Sequence, residues 1–466
     1  MYRKWLRIIT MLIVSCLLIV GCTDKSKVPI GPEKNQDMIT LKVIYYDSEL
    51  FYKQYGDWFT TLNNHIQFEV ISDADIYKDM GDKTKEEVYA QFISEEQPDI
   101  LILNTDQFKN QLNDGSLTEL GSLSVRDEYS LEGFVPGLVE QLRELGGGGL
   151  YGLTPSFSSK AILYNKDLFK KYGVTLPTDG MSWYDIIDLA RHFPTGGDKQ
   201  SRIYGYTDGN IYEAPMELIT LIDKMSQTEG LSIVNTDKMQ MTIDTTAWKK
   251  VIQTAIQAEQ SGAIFNSMDT LFTSGTRDEF YDSQPFLMGR SAMHIGSVTS
   301  LALLDHFKQD LKEDMPFEMG IVAGPVDPLD PDSTYVTPDD VFAIHATSVN
   351  QDAAWEFIKY VCGEDYARAS SKSNELLLSQ QLLLSRSGFM KEYEGVSLEP
   401  FYKLKAKLLK RSSDWEKLPD SFFNDFATIL GRELELVIKG HKSLDEALAV
   451  VKTESQGKLE QSVKNR

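Results

Sequence analysis

The residues best placed to do chemistry fall in pairs just past apolar runs: Tyr46 and Asp47, Asn104 and Asp106, Phe157 and Ser158, Tyr206 and Asp208, Gly296 and Ser297, Asp339 and Asp340. Flat aromatic rings can cover the C–H face of a polyhydroxylated ring, while carboxylates, amides and hydroxyls hydrogen-bond its rim. For the other aspartates the competing use is helix N-capping or turn chemistry. Asp339 and Asp340 stand before the apolar run Val341–His345, where capping is a less natural role. Trp183 and Trp355 sit on apolar helical faces and read as core, and Trp58 and Trp248 lean the same way.

Other chemistries leave no signature. The six histidines are scattered, with no HExxH, so no metal is expected. No GxSxG occurs, and no GxGxxG opens a helix after a strand, so neither a nucleophile elbow nor a dinucleotide fold is indicated and no cofactor is expected. Carboxylates are too abundant for an acid/base pair to be excluded by counting. The oxygen-rich stretch Asp327–Asp332 lacks the glycine and distal glutamate of an EF-hand and is stiffened by two prolines, which predicts a surface loop. The glycines Gly146–Gly149 lead into LYGLTP and not into a helix carrying Lys-Ser/Thr. They predict a tight turn between two extended segments, not a phosphate cradle.

The elements that must position these residues can be read from periodicity. Ile39–Tyr46, Ile66–Ile71 and Asp99–Leu103 read as strands, separated by helical patterns over 51–63 and 84–95 and succeeded by one over 105–113. That alternation predicts an α/β layer with a largely parallel sheet, and the unbroken apolar run DILIL a strand covered on both faces. A second block holds strands at Ala161–Tyr164, Ser291–Gly296, Glu318–Val322 and Val341–His345. Its helices run over 166–172, 183–193 and 247–260; another apolar stripe passes through Ala353, Ala354, Phe357, Ile358 and Val361 and a last one runs from Phe422 to Ile438. The polar tail from about Thr453 is expected to fray.

The chain opens with a basic segment (Arg3, Lys4, Arg7), then the apolar run Ile8–Val20, then Gly21 and Cys22. This has signal-peptide length, too short to span a bilayer, and Ile19–Cys22 resembles a bacterial lipobox with Cys22 as the lipidated residue. Cys16 ends a similar motif, but cleavage there would halve the apolar region. An ordinary secretory signal or an anchor helix is the alternative. Residues 22–38 read as a polar tether. Lipidation leaves Cys362 without a disulfide partner, on an apolar stripe that predicts a buried, inert thiol. The net charge is −22, and −25 once the leader's three basic residues are removed, which argues against nucleic acid and against a polybasic membrane grip.

Several segments, taken in order, resemble one family. Tyr151-Gly152 with Pro155 precedes Tyr164–Phe169, Gly173, Pro177 and Trp183. Gln97–Ile100, Asn113–Leu120, Phe286–Met293, Phe342–Lys359 and Gly440–Leu448 add further matches. Together they resemble the extracellular solute-binding proteins of ABC importers, in the sugar- and oligosaccharide-binding, maltose-binding-protein-like branch. The resemblance implies a two-lobe periplasmic-binding-protein-like α/β fold, each lobe a mixed sheet flanked by helices, with a ligand cleft at the hinge. It implies a leader at 1–21, a tether at 22–38, an N-terminal lobe of 39–154 plus 336–398 and a C-terminal lobe of 157–333 plus 402–455. The crossings would be Pro155–Phe157, Thr334–Asp340 (where many relatives carry small, glycine-rich residues) and a third near Glu394–Phe401. A carbohydrate ligand, ABC permease subunits and a lipid-held membrane are the implied partners, on the extracytoplasmic face, with a monomer expected. A surface sensor of a non-sugar solute and a glycan-cleaving surface enzyme are the rival readings.

Overall fold

The structure is a computed structural model that describes residues 37–74, 76–78, 83–198, 201–207, 217–265, 276, 279–280, 283–311, 317–373, 380, 382–408, 418 and 420–464. The expected leader, Cys22, the tether except for its last two residues, and Asp208 lie outside the described residues.

The first sheet runs Val341–Ile344, Ile100–Leu103, Ile39–Tyr45, Ile66–Ser72 in spatial order. Every residue of Ile100–Leu103 is buried, as an apolar strand covered on both faces must be. The strand Ile39–Tyr45 lies parallel to it, with Val43 opposite Ile100. Val341–Ile344 returns from far along the chain and runs antiparallel, with Val341 opposite Leu103. The sheet is therefore mixed, because its fourth member does not arrive through a βαβ crossover. One aromatic cluster packs beside it: the Phe357 ring lies 4.7 Å from Phe68 and 5.0 Å from Phe59. Fully buried Trp355 donates its indole N–H to Asp127 at 3.0 Å, the polar handle a buried tryptophan requires.

The second sheet runs Met319–Ala323, Ala161–Asn165, Ser291–Gly296, Tyr204–Thr207. Its first two contacts are antiparallel and its last is parallel. A separate core forms on it from Ile162, Trp183, Ile187, Tyr206, Val251 and Ile252, closed by Phe422, Phe426, Leu430 and Leu434 of the helix Asp420–Ile438. Trp248 belongs to the same core. Cys362 is buried, and burial pushes its thiol well above the ordinary range, so it is held as an inert neutral group.

A three-stranded ribbon connects along the chain to both sheets. Ser156–Ser158 forms its centre, flanked by Thr337–Asp339 and Leu382–Leu384, both antiparallel to it. Three distant parts of the chain thus meet in one short element.

Four expectations need correction. The sheets are mixed, not largely parallel. The glycine run does not join two extended segments: Gly146 ends the helix Leu138–Leu145, and Gly147 and Gly148 take positive φ in the turn after it. The polar tail does not fray at Thr453. Leu444–Lys464 is one helix, with Leu459 and Ser455 fully buried, and Gln456 pins it by accepting from Met241 N–H and donating to the Met239 carbonyl. Trp58 is 66% exposed, because its short helix, Asp57–Leu62, turns Phe59 and not Trp58 inward.

The segment entering the ribbon passes close to the first sheet, with Leu153 bridging Phe342. A Cβ on Gly152 would lie 2.6 Å from Val341 Cγ1 and 2.9 Å from the Phe108 ring. Gly152→Ala is expected to cost about 1–3 kcal/mol through overpacking, read as a lower urea midpoint with an unchanged slope.

Candidate ligand-binding cleft

The ribbon's geometry is set by strand alternation. Residues directly opposite in an antiparallel pair point to the same side, and neighbours along a strand to opposite sides. Ser158 faces Thr337 and Leu382; Ser156 faces Asp339 and Leu384. These share one face. Phe157, Pro338 and Leu383 share the other, and all three are buried. The first face opens on a cavity of about 230 Å³ into which Ser158 and Thr337 project. Ser297, Thr228, Thr334 and Tyr335 add hydroxyls to its wall, and Trp183, Ile295 and Pro325 add apolar surface. The Trp183 indole donates to Thr228 Oγ at 2.9 Å while Thr228 donates to the Lys224 carbonyl at 2.8 Å. The wall is therefore preorganised before any guest enters. Lys160, Lys224 and Gln227 also line it, so hydroxyls, cationic and amide groups beside an indole suit a hydroxyl-rich guest.

Asp339 ends the flanking strand on this face. Ser156 Oγ donates to its Oδ2 at a long 3.4 Å. Asp340, at φ 47°, turns the other way. Its Oδ2 receives the Tyr55 hydroxyl at 2.8 Å and lies 3.3 Å from the Tyr45 hydroxyl, which is also 2.9 Å from Gln54 Oε1. Tyr55 reaches Asp340 from a π-helical turn, Tyr52–Gly56, set between two short α-helical segments. Such single-turn insertions re-aim a side chain.

Two neighbouring carboxyls in a partly dry site resist double ionisation. Burial, and then the charge of Asp340, push Asp339 up to about 7. Burial also raises Asp340, but the Tyr55 and Tyr45 hydroxyls pull it back by hydrogen-bonding its charged form. Both tyrosines are themselves raised by burial and by the Asp340 charge, so they stay protonated donors.

The other nominated residues sit at helix starts, in the second core or on the apolar side of the ribbon. Asp47 caps the helix Ser48–Phe51, accepting from Leu50 N–H at 2.7 Å. Asn104 caps Thr105–Asn113 in a capping box with Gln107. Asp106 lies in that helix's first turn, 3.4 Å from Lys109 Nζ. Tyr46 is half exposed, its ring 4.5 Å from that of Tyr45. Phe157 is fully buried on the ribbon's apolar face. Tyr206 is buried in the second core, edge-on to Trp183 at 5.7 Å. Gly296 is buried at the end of its strand, where a Cβ would collide with Ser300 Oγ and His294 Nε2. The cavity and the ribbon face that opens on it thus bring together Ser158, Ser297 and Asp339. The sequence reading did not single out Tyr45, Tyr55, Ser156, Thr228 or Thr337. Ser156 and Thr337 left a usable signal, since Ser156-Phe157-Ser158 and Thr337-Pro338-Asp339 each alternate polar and apolar at a named crossing.

The sequence profile of bacterial extracellular solute-binding proteins matches residues 54–376. The chain belongs to that family. A curated relative, a binding protein of Brucella abortus (strain 2308), is 26% identical over 240 residues, covering 49% of this chain and 50% of that protein. The chain spans about half the length of the curated relatives it matches. A sugar transporter of Rhizobium etli, solved in an open conformation, superposes with a TM-score of 0.61 at 19% identity, over 90% of this chain and 99% of that one. The sugar-binding protein MalE of Xanthomonas citri gives 0.61 at 14% identity, over 91% and 98%. A family 1 solute-binding protein of Alicyclobacillus acidocaldarius gives 0.62 at 13%, over 91% and 99%. These likenesses establish the two-lobe, periplasmic-binding-protein-like α/β fold.

The carboxyl pair makes stability depend on pH. Asp339 binds its proton more tightly folded than unfolded, so its contribution is full below its ordinary value of 3.8 and is lost as pH rises to about 7. Asp339→Asn removes that loss. Relative to the unchanged protein, the variant should gain stability between pH 5 and pH 8, measured by urea unfolding at both.

Proposed function

We propose that this protein is the substrate-binding component of an ABC importer, which captures a carbohydrate by lobe closure and delivers it to membrane permease subunits. The observation that carries the reading is the ribbon's polar face, Ser158, Thr337 and Asp339, opening on a hydroxyl-lined cavity with Trp183 in its wall. The sugar-related roles of the Rhizobium etli and Xanthomonas citri proteins support it. In this reading 39–154 with 336–398 form the N-terminal lobe, 157–333 with 402–455 form the C-terminal lobe, and the ligand bridges them. Closure results because only the closed form touches the ligand from both sides. Micromolar affinity corresponds to about −8 kcal/mol.

Asp339 and Ser297 are the residues we place against the ligand first, with Ser158 beside them. Of the other nominated residues, Tyr46, Asp47, Asn104 and Asp106 follow strands of the first sheet, where a larger guest would reach them on closure. The work is binding and not hydrolysis. Asp339 brings a single carboxyl to the ribbon face we place against the ligand, whereas glycoside cleavage needs a carboxylate on either side of the scissile bond. Cys22 would carry a diacyl anchor, whose two chains suffice for stable attachment, and so hold the protein on the extracytoplasmic face of the cell membrane.

A thermal-shift screen of the tether-trimmed protein against mono- and oligosaccharides should give at least one concentration-dependent rise in melting temperature. The same saccharide should reduce the radius of gyration in solution scattering. Saturable binding without compaction would remove lobe closure from the mechanism. For the anchor, Cys22→Ala in the full chain should move the protein from the membrane fraction to the medium; retention of the variant on the membrane would refute lipidation at that residue.

A further inference from the structure

The two hinge carboxyls are adjacent in the chain but differ in their donors. Asp340 Oδ2 has the phenolic hydroxyls of Tyr55 at 2.8 Å and Tyr45 at 3.3 Å. Asp339 has one long contact, from Ser156 Oγ at 3.4 Å. Phenolic donors favour the ionised form of the group they bond, and two adjacent buried carboxyls hold a shared proton on whichever member has fewer donors. That member is Asp339. The titratable groups acting on the pair are those tyrosines and Tyr366, whose ring stacks near Tyr55 and whose own titration feels Asp340. Among the described residues, no lysine, arginine or histidine figures among the groups that shift either carboxyl, although Lys160 and Lys224 line the cavity.

By strand alternation Asp339 is also the member on the side of the ribbon from which Ser158 and Thr337 line the cavity, one residue pair beyond that lining. We propose that Asp339 meets the ligand as a neutral carboxyl, donating a hydrogen bond to a ligand oxygen, so that capture is tight in acidic to neutral medium and weakens in alkaline medium. This rests on the carbohydrate-binding reading above and adds to it the form of the contact. An ionised carboxylate accepts and cannot donate. Lobe closure, by stripping water from this face, makes the charged form costlier still. Binding at alkaline pH must therefore draw a proton from solvent onto Asp339.

The test is titration calorimetry with the neutral saccharide giving the largest thermal shift, from pH 5 to pH 9, in two buffers of different ionisation enthalpy. For the unchanged protein, affinity should be level at low pH and fall about tenfold per pH unit once Asp339 ionises, with close to one proton taken up per ligand at alkaline pH. Asp339→Asn keeps a donor of the same shape, so it should bind within a few-fold of the low-pH value throughout, with no proton uptake. A level profile for the unchanged protein overturns the proposal and leaves the carbohydrate reading standing. So does a loss of binding in Asp339→Asn as deep as in Asp339→Ala. A ligand-free check is the ¹³C carboxyl titration of Asp339 by NMR: a midpoint in the ordinary aspartate range overturns the proposal whatever binds. If no saccharide shifts the melting temperature, the carbohydrate reading fails and takes this contact with it. A raised ¹³C midpoint would then place that failure in the ligand assignment and not in the hinge chemistry.

Discussion

The strand alternation of the central ribbon is the constraint on which the rest depends. Ser156–Ser158 is three residues long, yet it must bury one side and offer the other to the cavity. A period of two permits this only if small polar residues alternate with bulky apolar ones. Ser156, Phe157 and Ser158 do so, and so do Thr337, Pro338 and Asp339. A one-residue slip would turn Phe157 toward the cavity and Ser158 away from it. Pro338 helps to hold the register, because a fixed φ leaves the flanking strand few other conformations.

That constraint has an electrostatic consequence. Once Asp339 faces the cleft, its neighbour must face away from it, toward the first sheet. Asp340 there occupies a left-handed conformation that costs a non-glycine residue about a kcal/mol or more. Its carboxyl sits among the aromatic rings of Tyr45 and Tyr55. The two phenols, one delivered by the end of a strand and the other by a π-helical turn, compensate it. The positive φ and the paired carboxyls thus sit where the ribbon runs into the first sheet, while the second core is apolar. In the closing mechanism proposed above, local strain beside plainly packed cores would mark the segment that moves.

The architecture was legible because its signals are dense and redundant. The run DILIL, the stripe from Ala353 to Val361 and the stripe from Phe422 to Ile438 each specify one element, and burial agrees at each. Where one local signal stood alone it misled. Polarity at Thr453 suggested fraying, yet Leu459 and Gln456 anchor the tail through contacts distant in sequence. Glycines suggested a hairpin-like turn, yet the preceding Leu138–Leu145 pattern is too short to announce itself as a helix. The site was less legible. Tyr45 and Tyr55 are positioned by a strand end and a π-helical turn from opposite directions, and no period in the sequence marks a π-helical turn. Thr228 belongs to the cavity only because Trp183, forty-five positions away, hydrogen-bonds to it.

The nominated polar residues separate by the type of element each one leads into. Asp47 and Asn104 stand where a strand feeds a helix, and a helix start presents unsatisfied N–H groups that a nearby carboxylate or amide will take, for about 1 kcal/mol. Their oxygens are thereby engaged before any ligand arrives, though a second lone pair stays open to one. Asp339 precedes no helix. The chain passes from it directly into Asp340 and the strand Val341–Ile344, so no local backbone donor competes for its oxygens. In a two-lobe α/β fold, residues at the crossings are therefore better indicators of ligand chemistry than residues at strand ends, since secondary structure has already claimed the latter. The same argument gives the direction of the Asp339 shift: no local backbone donor stabilises its charge, and the one side-chain donor, Ser156 Oγ, is long at 3.4 Å.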